Sequence, residues 1–160
     1  MIEEPIYFRF ATKEDLKDIY NWRNDKQTRQ VSFNSKKISL NEHKEWFNKA
    51  INNAYINIFI ITKKNGDKIG QIRFNKNKNK KQTEISIMIG PEYRGQGYGT
   101  RILIEGTKLF FNNFDATEII AKIKNENTAS LRVFEKTGFQ KYKLNSKQSE
   151  LKLKKNAIRN

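Results

Sequence analysis

The run Arg94-Gly95-Gln96-Gly97-Tyr98-Gly99-Thr100 sets three glycines at alternate positions. On its N-terminal side Thr83 to Ile89 alternates cleanly. Ile85, Ile87 and Ile89 take one face and Glu84, Ser86 and Met88 the other, the period of a β-strand. On its C-terminal side an apolar-rich run to Phe111 reads as a helix. A strand, a glycine loop and a helix in that order can cradle an anion. Glycine lets the backbone come close, several N–H groups converge, and the helix N-terminus adds a partial positive charge. No Lys-Ser or Lys-Thr follows the last glycine, so the loop is not a Walker A motif. Its spacing is not that of a Rossmann turn either.

Toward the N-terminus, the sequence predicts a strand over Ile6–Phe10, then a helix opened by a capping box of Thr12 and Asp15. Leu16, Ile19 and Tyr20 form the apolar stripe of that helix, and Arg23 falls on the same face one turn later. Ser39 and Glu42 cap a second helix whose stripe is Leu40, His43, Phe47 and Ile51, with Trp46 beside it. Tyr55–Lys63 and a return strand over about 68–76 flank Asn65-Gly66, a hairpin turn signal. The lysine-asparagine tract 75–81 reads as a solvated loop. Toward the C-terminus come a strand over Glu118–Ile123, a helix capped by Asn127 or Thr128 and stopped at Gly138, and closing strands over Phe139–Tyr142 and Ser149–Lys154. The order is β-α-α-β-β-β-α-β-α-β-β, a mixed α/β sheet in a single domain, 1–160, with a basic C-terminal segment, 144–160.

Composition narrows the chemistry. The 160 residues contain no cysteine and one histidine, His43, which excludes disulfides, Cys-ligated zinc, thiolate nucleophiles and any metal cage built on several histidines. Lys plus Arg total 32 against 17 acids, a net charge of +15. With 24 lysines, 19 asparagines and 20 isoleucines, all residues with AT-rich codons, most of that charge reads as compositional. No basic-aromatic ribbon or recognition helix accompanies it, so the anion it would serve is a phosphorylated small molecule rather than nucleic acid. The N-terminus has early acids and no apolar signal region, and the longest aliphatic or aromatic run is Ile58 to Ile61. The expectation is a soluble, cytoplasmic protein with no membrane partner.

About thirty residues after the glycine loop stands Asn127-x-x-Ser130-x-x-x-Phe134-Glu-Lys136-x-Gly138-Phe139. With Arg94-x-x-Gly97-x-Gly99, it makes the chain resemble the GNAT superfamily of acetyl-CoA-dependent N-acetyltransferases across nearly its whole length. The resemblance implies a GNAT-like, mostly antiparallel sheet flanked by about four helices, with acetyl-CoA as co-substrate and no metal. Backbone N–H groups from Gly95, Gln96, Gly97, Tyr98, Gly99 and Thr100, after Arg94, would hold the pyrophosphate. The edge Ile87, Met88 and Ile89 would pair with the pantetheine arm, and one N–H there would polarise the thioester carbonyl. Asn127 and Ser130 would face the pantetheine end, with Phe134 beside them, and Lys136 would meet an outer phosphate.

Without cysteine, acetyl transfer proceeds by direct attack of the amine in a ternary complex. Glu84, on the polar face of its strand near the loop, is the candidate base. Many members of the superfamily carry a tyrosine where this chain has Phe134, which cannot donate a proton, so Ser130 or water takes the role of acid. The first two helices, with Arg23 and His43 as candidate acceptor-binding residues, resemble amino-sugar-nucleotide N-acetyltransferases of the pseudaminic acid pathway type. The C-terminal motif resembles the ribosomal-protein type. The acceptor expected is therefore a nucleotide-linked 4-amino-deoxy sugar. A protein N-α-amine and a non-catalytic CoA-binding module stand as alternatives, and a homodimer is compatible with all three.

Overall fold

The computed structural model describes residues 3–78 and 81–158. Seven strands form one sheet in the order β1-β2-β3-β4-β5-β7-β6. They are β1 (Tyr7–Phe10), β2 (Ile56–Thr62), β3 (Lys68–Lys76), β4 (Gln82–Ile89), β5 (Glu118–Lys124), β6 (Gln140–Leu144) and β7 (Gln148–Lys154). Every neighbouring pair is antiparallel except β4 and β5. The β2–β3 hairpin closes at the expected turn, where Gly66 takes a φ of 91° and donates its N–H to the Lys63 carbonyl at 3.0 Å.

Alternation along the strands divides the apolar residues between two cores. Ile58 and Ile60 of β2 face helices α1 (Leu16–Asn24) and α3 (Leu40–Ile51), where Ile19, Trp22, Phe47 and Ala50 complete a smaller core. Phe59 and Ile61 face the other way, into the larger core with α4 (Tyr98–Asn113) and α5 (Thr128–Lys136). There Phe74 of β3 stacks on Phe110 of α4 at 4.1 Å between ring centroids. α4 lies so close to the sheet at Gly106 that a Cβ there would stand 2.9 Å from Ile72 Cδ1. Asp15, fully buried at the start of α1, is held by Arg9 and Lys68 and closes the capping box with Thr12.

The mixed, mostly antiparallel α/β architecture agrees with expectation, but several details differ. A further helix, α2 (Lys26–Val31), follows α1 directly, giving five α-helices among the described residues rather than about four. Asp25 breaks α1 with an extended ψ of 137° and caps α2 by accepting from the Thr28 N–H at 3.1 Å. On α3 the buried stripe runs through His43, Phe47 and Ala50, while Leu40 is 42% exposed. The last strand, β7, lies between β5 and β6, with its alternate residues Ser149, Leu151 and Leu153 buried. The tract expected as a loop over 75–81 begins as the end of β3, and its residues 79 and 80 lie outside those described. Residues 159 and 160 of the basic C-terminal segment likewise lie outside. Among the described residues no helix is long and apolar enough to cross a membrane.

Candidate functional site

β4 and β5 pair only through Gln82–Glu84 and Glu118–Ile120, then part. The Gly90 N–H donates to the Ile69 carbonyl at 2.8 Å and the Asn77 N–H to the Gln82 carbonyl at 3.1 Å. Those bonds set the phase of the β3–β4 ladder. Glu84, Ser86 and Met88, opposite Asn75, Arg73 and Gln71, exchange hydrogen bonds with β3, so Ile87 and Ile89 turn their backbone groups toward the gap. The gap opens into a cleft of about 970 Å³ lined by Ile87, Met88 and Ile89 on one strand and Ala121 to Lys124 on the other.

The glycine loop forms one end of the cleft. Gly95 and Gly97 have φ of 70° and 84°, and Gly97 is the N-cap of α4. At each, an added Cβ would meet nothing within 4 Å, so backbone conformation rather than space demands glycine. Gly95, Gly97, Tyr98, Gly99 and Thr100 all line the cleft, placing the first turn of a sixteen-residue helix against it. An oxyanion seated there would meet converging N–H groups. Two side chains of the loop serve the protein itself. Gln96 turns back to donate to the Glu92 carbonyl at 2.7 Å and does not line the cleft. Arg94 pairs with Asp25 at 2.8 Å, reaches Gln27 and Thr28, and donates from Nε to the Ile89 carbonyl at 3.2 Å. It ties α2 to the loop while also lining the cleft.

α5 supplies the opposite wall. Asn127 caps it by accepting from the Ser130 N–H at 3.2 Å, and Asn127, Ser130 and Phe134 all line the cleft. Phe134 is 3% exposed and packs edge-on against Phe139 at 4.9 Å. Lys136, expected at an outer phosphate, does not line the cleft. It is exposed on the last turn of α5, away from the cleft lining, because a residue two past Phe134 sits on another face of the helix.

Glu84 lines the cleft where β4 and β5 part. Its Oε2 is 3.0 Å from Lys122 Nζ on β5, and its side chain is 47% exposed, so the carboxylate is reachable by solvent and ligand alike.

Beyond Glu84 the cleft ends under α1, α2 and α3. His43 is buried against Tyr20, Trp46 and Phe47. Its Nε2 lies 3.0 Å from the Leu16 carbonyl, and a carbonyl only accepts, so the ring proton sits there and Nδ1 carries the lone pair. Burial pushes the His43 pKa below its ordinary value, against the Leu16 bond and with the help of Arg23, so the ring is neutral at pH 7. Arg23 donates from Nη2 to the Asn34 carbonyl at 2.7 Å. Burial, with the nearby charge of Arg29, weakens its hold on its proton.

The sequence reading missed four residues here: Gln71, Arg73, Trp46 and Lys122 line the same cleft. A signal existed for two of them. Gln71, Arg73 and Asn75 alternate with Ile72 and Phe74 on β3, a strand flanked on both sides, which places a polar face in the middle of the sheet.

A family model described as an acetyltransferase (GNAT) domain matches residues 6–140. The spermidine N(1)-acetyltransferase of Vibrio cholerae serotype O1 is 23% identical over 135 residues, covering 84% of this chain and 78% of that protein. The solved structure of spermidine N-acetyltransferase from Vibrio cholerae in complex with CoA and spermine matches with a TM-score of 0.88 at 20% identity, covering 96% of this chain and 97% of that one. An aminoglycoside acetyltransferase in complex with coenzyme A matches with a TM-score of 0.81 at 18% identity over 96% of each chain. These relatives are of neither the sugar-nucleotide nor the ribosomal-protein type that the helices and the C-terminal motif had pointed to.

Proposed function

Because the chain belongs to the acetyltransferase (GNAT) family, we propose that its cleft moves an acetyl group from acetyl-CoA to the primary amine of a small molecule, in a ternary complex. The observation that carries this reading is the parting of β4 and β5 next to a positive-φ glycine turn at the N-terminus of α4. The turn offers N–H groups to a pyrophosphate, and the inward backbone groups of Ile87 and Ile89 offer strand-like partners to an amide-bearing arm. Acetyl-CoA supplies a thioester, whose carbonyl carbon accepts the amine nitrogen as the C–S bond breaks.

The protein's part is to position, polarise and move protons. An inward N–H of β4 polarises the carbonyl oxygen. Glu84, directly or through one water, takes the proton that the amine must lose. Phe134 fills the place of a donor without being one, so the departing thiolate receives its proton from Ser130 or from water. No residue forms a covalent acyl intermediate.

For the acceptor, a nucleotide-linked 4-amino sugar fits the end of the cleft that Arg23 and Arg73 line, where Arg23 Nη1 is buried without a hydrogen-bond partner. A polyamine is the second reading, supported by the spermidine acetyltransferases that the chain resembles. A thiol-release assay with acetyl-CoA across UDP-linked 4-amino sugars, peptides and polyamines separates the two. Glu84→Gln should lower kcat/KM about 100-fold or more while leaving the KM for acetyl-CoA within about twofold. Wild-type turnover in that variant would remove Glu84 from the role of base. CoA binding without turnover on any amine would mark a binding module instead.

A further inference from the structure

Four polar atoms at the acceptor end of the cleft are buried without a hydrogen-bond partner: Arg23 Nη1, Arg73 Nε, His43 Nδ1 and Gln71 Oε1. Buried donors and acceptors are normally paired, and an unpaired charged donor is the costliest kind to leave so. Here two guanidinium groups stand in that condition together. Among the described residues neither has a salt bridge, and the charge of Arg23 works against that of Arg73. Arg73 projects from the middle of β3, opposite Ser86 of β4, and its guanidinium carbon lies 5.3 Å from the centre of the Trp46 ring. Glu84, one pleat further along β4, is the carboxylate whose field reaches it, and Lys122 already engages Glu84. The two remaining orphans are of opposite character: His43 Nδ1 and Gln71 Oε1 can only accept.

We infer that Arg73 and Arg23 form an oxyanion subsite that receives a phosphate or carboxylate of the amine acceptor, while His43 Nδ1 and Gln71 Oε1 accept from N–H or O–H groups of the same molecule. The inference rests on the acetyltransferase reading above and narrows its acceptor. Forked guanidinium donors match an oxyanion, and Trp46 beneath Arg73 holds the fork without neutralising it. The same pair repels a polycation, so specificity arises from rejection as much as attraction. An anion seated on Arg73 keeps the rest of the acceptor against the neighbouring strand, where Glu84 waits for the amine proton.

The test is steady-state thiol release at saturating acetyl-CoA. The acceptors are a UDP-linked 4-amino sugar, an amino-sugar phosphate, an α-amino acid, the neutral amino sugar and spermidine. The sugar nucleotide and the sugar phosphate report a phosphate source, and the amino acid reports a carboxylate. At least one anionic acceptor should exceed the neutral sugar by about tenfold or more in kcat/KM, with spermidine poorest. Arg73→Met should raise the KM of that acceptor roughly 30-fold or more while the KM for acetyl-CoA stays within about twofold, and Arg73→Lys should restore part of the loss. Arg23→Met gives a second, independent variant should Arg73→Met fold poorly. UDP binding to the CoA-saturated protein, read by calorimetry and weakened by either substitution, reports the subsite without turnover. Preference for spermidine, or an unchanged ratio of anionic to neutral acceptors in both variants, overturns the subsite and leaves the acetyltransferase standing. Absence of thiol release with every amine overturns the acetyltransferase reading itself and the subsite with it.

Discussion

Asp15→Asn tests how the acceptor-side helices are anchored. The Asp15 carboxylate has no exposed surface and accepts from Arg9 Nη1 and Nη2, Lys68 Nζ and the Thr12 backbone N–H, each at 2.8 Å. Asparagine keeps the shape and one acceptor oxygen but removes the charge that two cations answer. Breaking a buried ion pair from one side costs about 3–5 kcal/mol. The side chains of Arg9 and Lys68 are 42% and 27% exposed and regain hydration when released, so the lower end, about 3 kcal/mol, applies. For a chain of this size each kcal/mol moves the melting midpoint by about 2–4 °C, giving a loss of about 6–12 °C.

The pH dependence is equally specific. Burial alone would raise the Asp15 pKa, but the bonds from Arg9, Lys68 and Thr12 outweigh it and hold the group well below the usual carboxylate range. A depressed carboxylate pKa stabilises the fold fully above the unfolded value, about 3.9, and the contribution fades as pH falls through the folded value. Thermal melts of wild type and Asp15→Asn followed by circular dichroism should therefore differ by a constant gap from pH 7 to about 5, narrowing only below about 4. A gap under about 2 °C at pH 7, or one that closes between pH 7 and 5, would refute the assigned role of the network.

His43 governs a different window. Its folded pKa lies below that of the unfolded chain, so wild-type stability should decline as pH drops through about 6.5, and His43→Gln should flatten that slope in the same melts. Gly97→Ala places a Cβ at a φ of 84°, costing about 1–2 kcal/mol of backbone strain at the head of α4, and should raise the KM for acetyl-CoA more than it lowers kcat. Ser130→Ala should lower kcat by about tenfold or more if the hydroxyl returns the proton to the thiolate. Unchanged turnover would assign that proton to water.

The glycine loop was legible because its chemistry is local. Positive-φ positions, a strand before and a helix after are all encoded within a few residues of Gly97, and the structure has them in place. Thr12 with Asp15 and Ser39 with Glu42 were legible as caps for the same reason, since each box closes over three residues. What the sequence withheld was long-range. The break at Asp25 that adds α2 depends partly on Arg94, which reaches that residue from the other side of the cleft. The seating of β7 between β5 and β6 is a choice of partner that alternation alone does not make. Arg73 went unnoticed because one arginine in a strand looks like any exposed cation until its neighbours α1 and α3 cover that face.

The parting of β4 from β5 gives this sheet four edges instead of two. Unpaired strand edges are templates on which other chains can add, and proteins guard them. The outer pair is guarded by brevity and charge: β1 has four residues and β6 five, with Lys141 and Lys143 on the latter. The inner pair is guarded by confinement, since α5 forms a wall beside it and a cleft of about 970 Å³ has no room for another protein's sheet. What can enter is a single extended arm carrying its own amide groups. The device that would make an exposed sheet prone to aggregation becomes, once moved inside, a filter on the shape of what may bind.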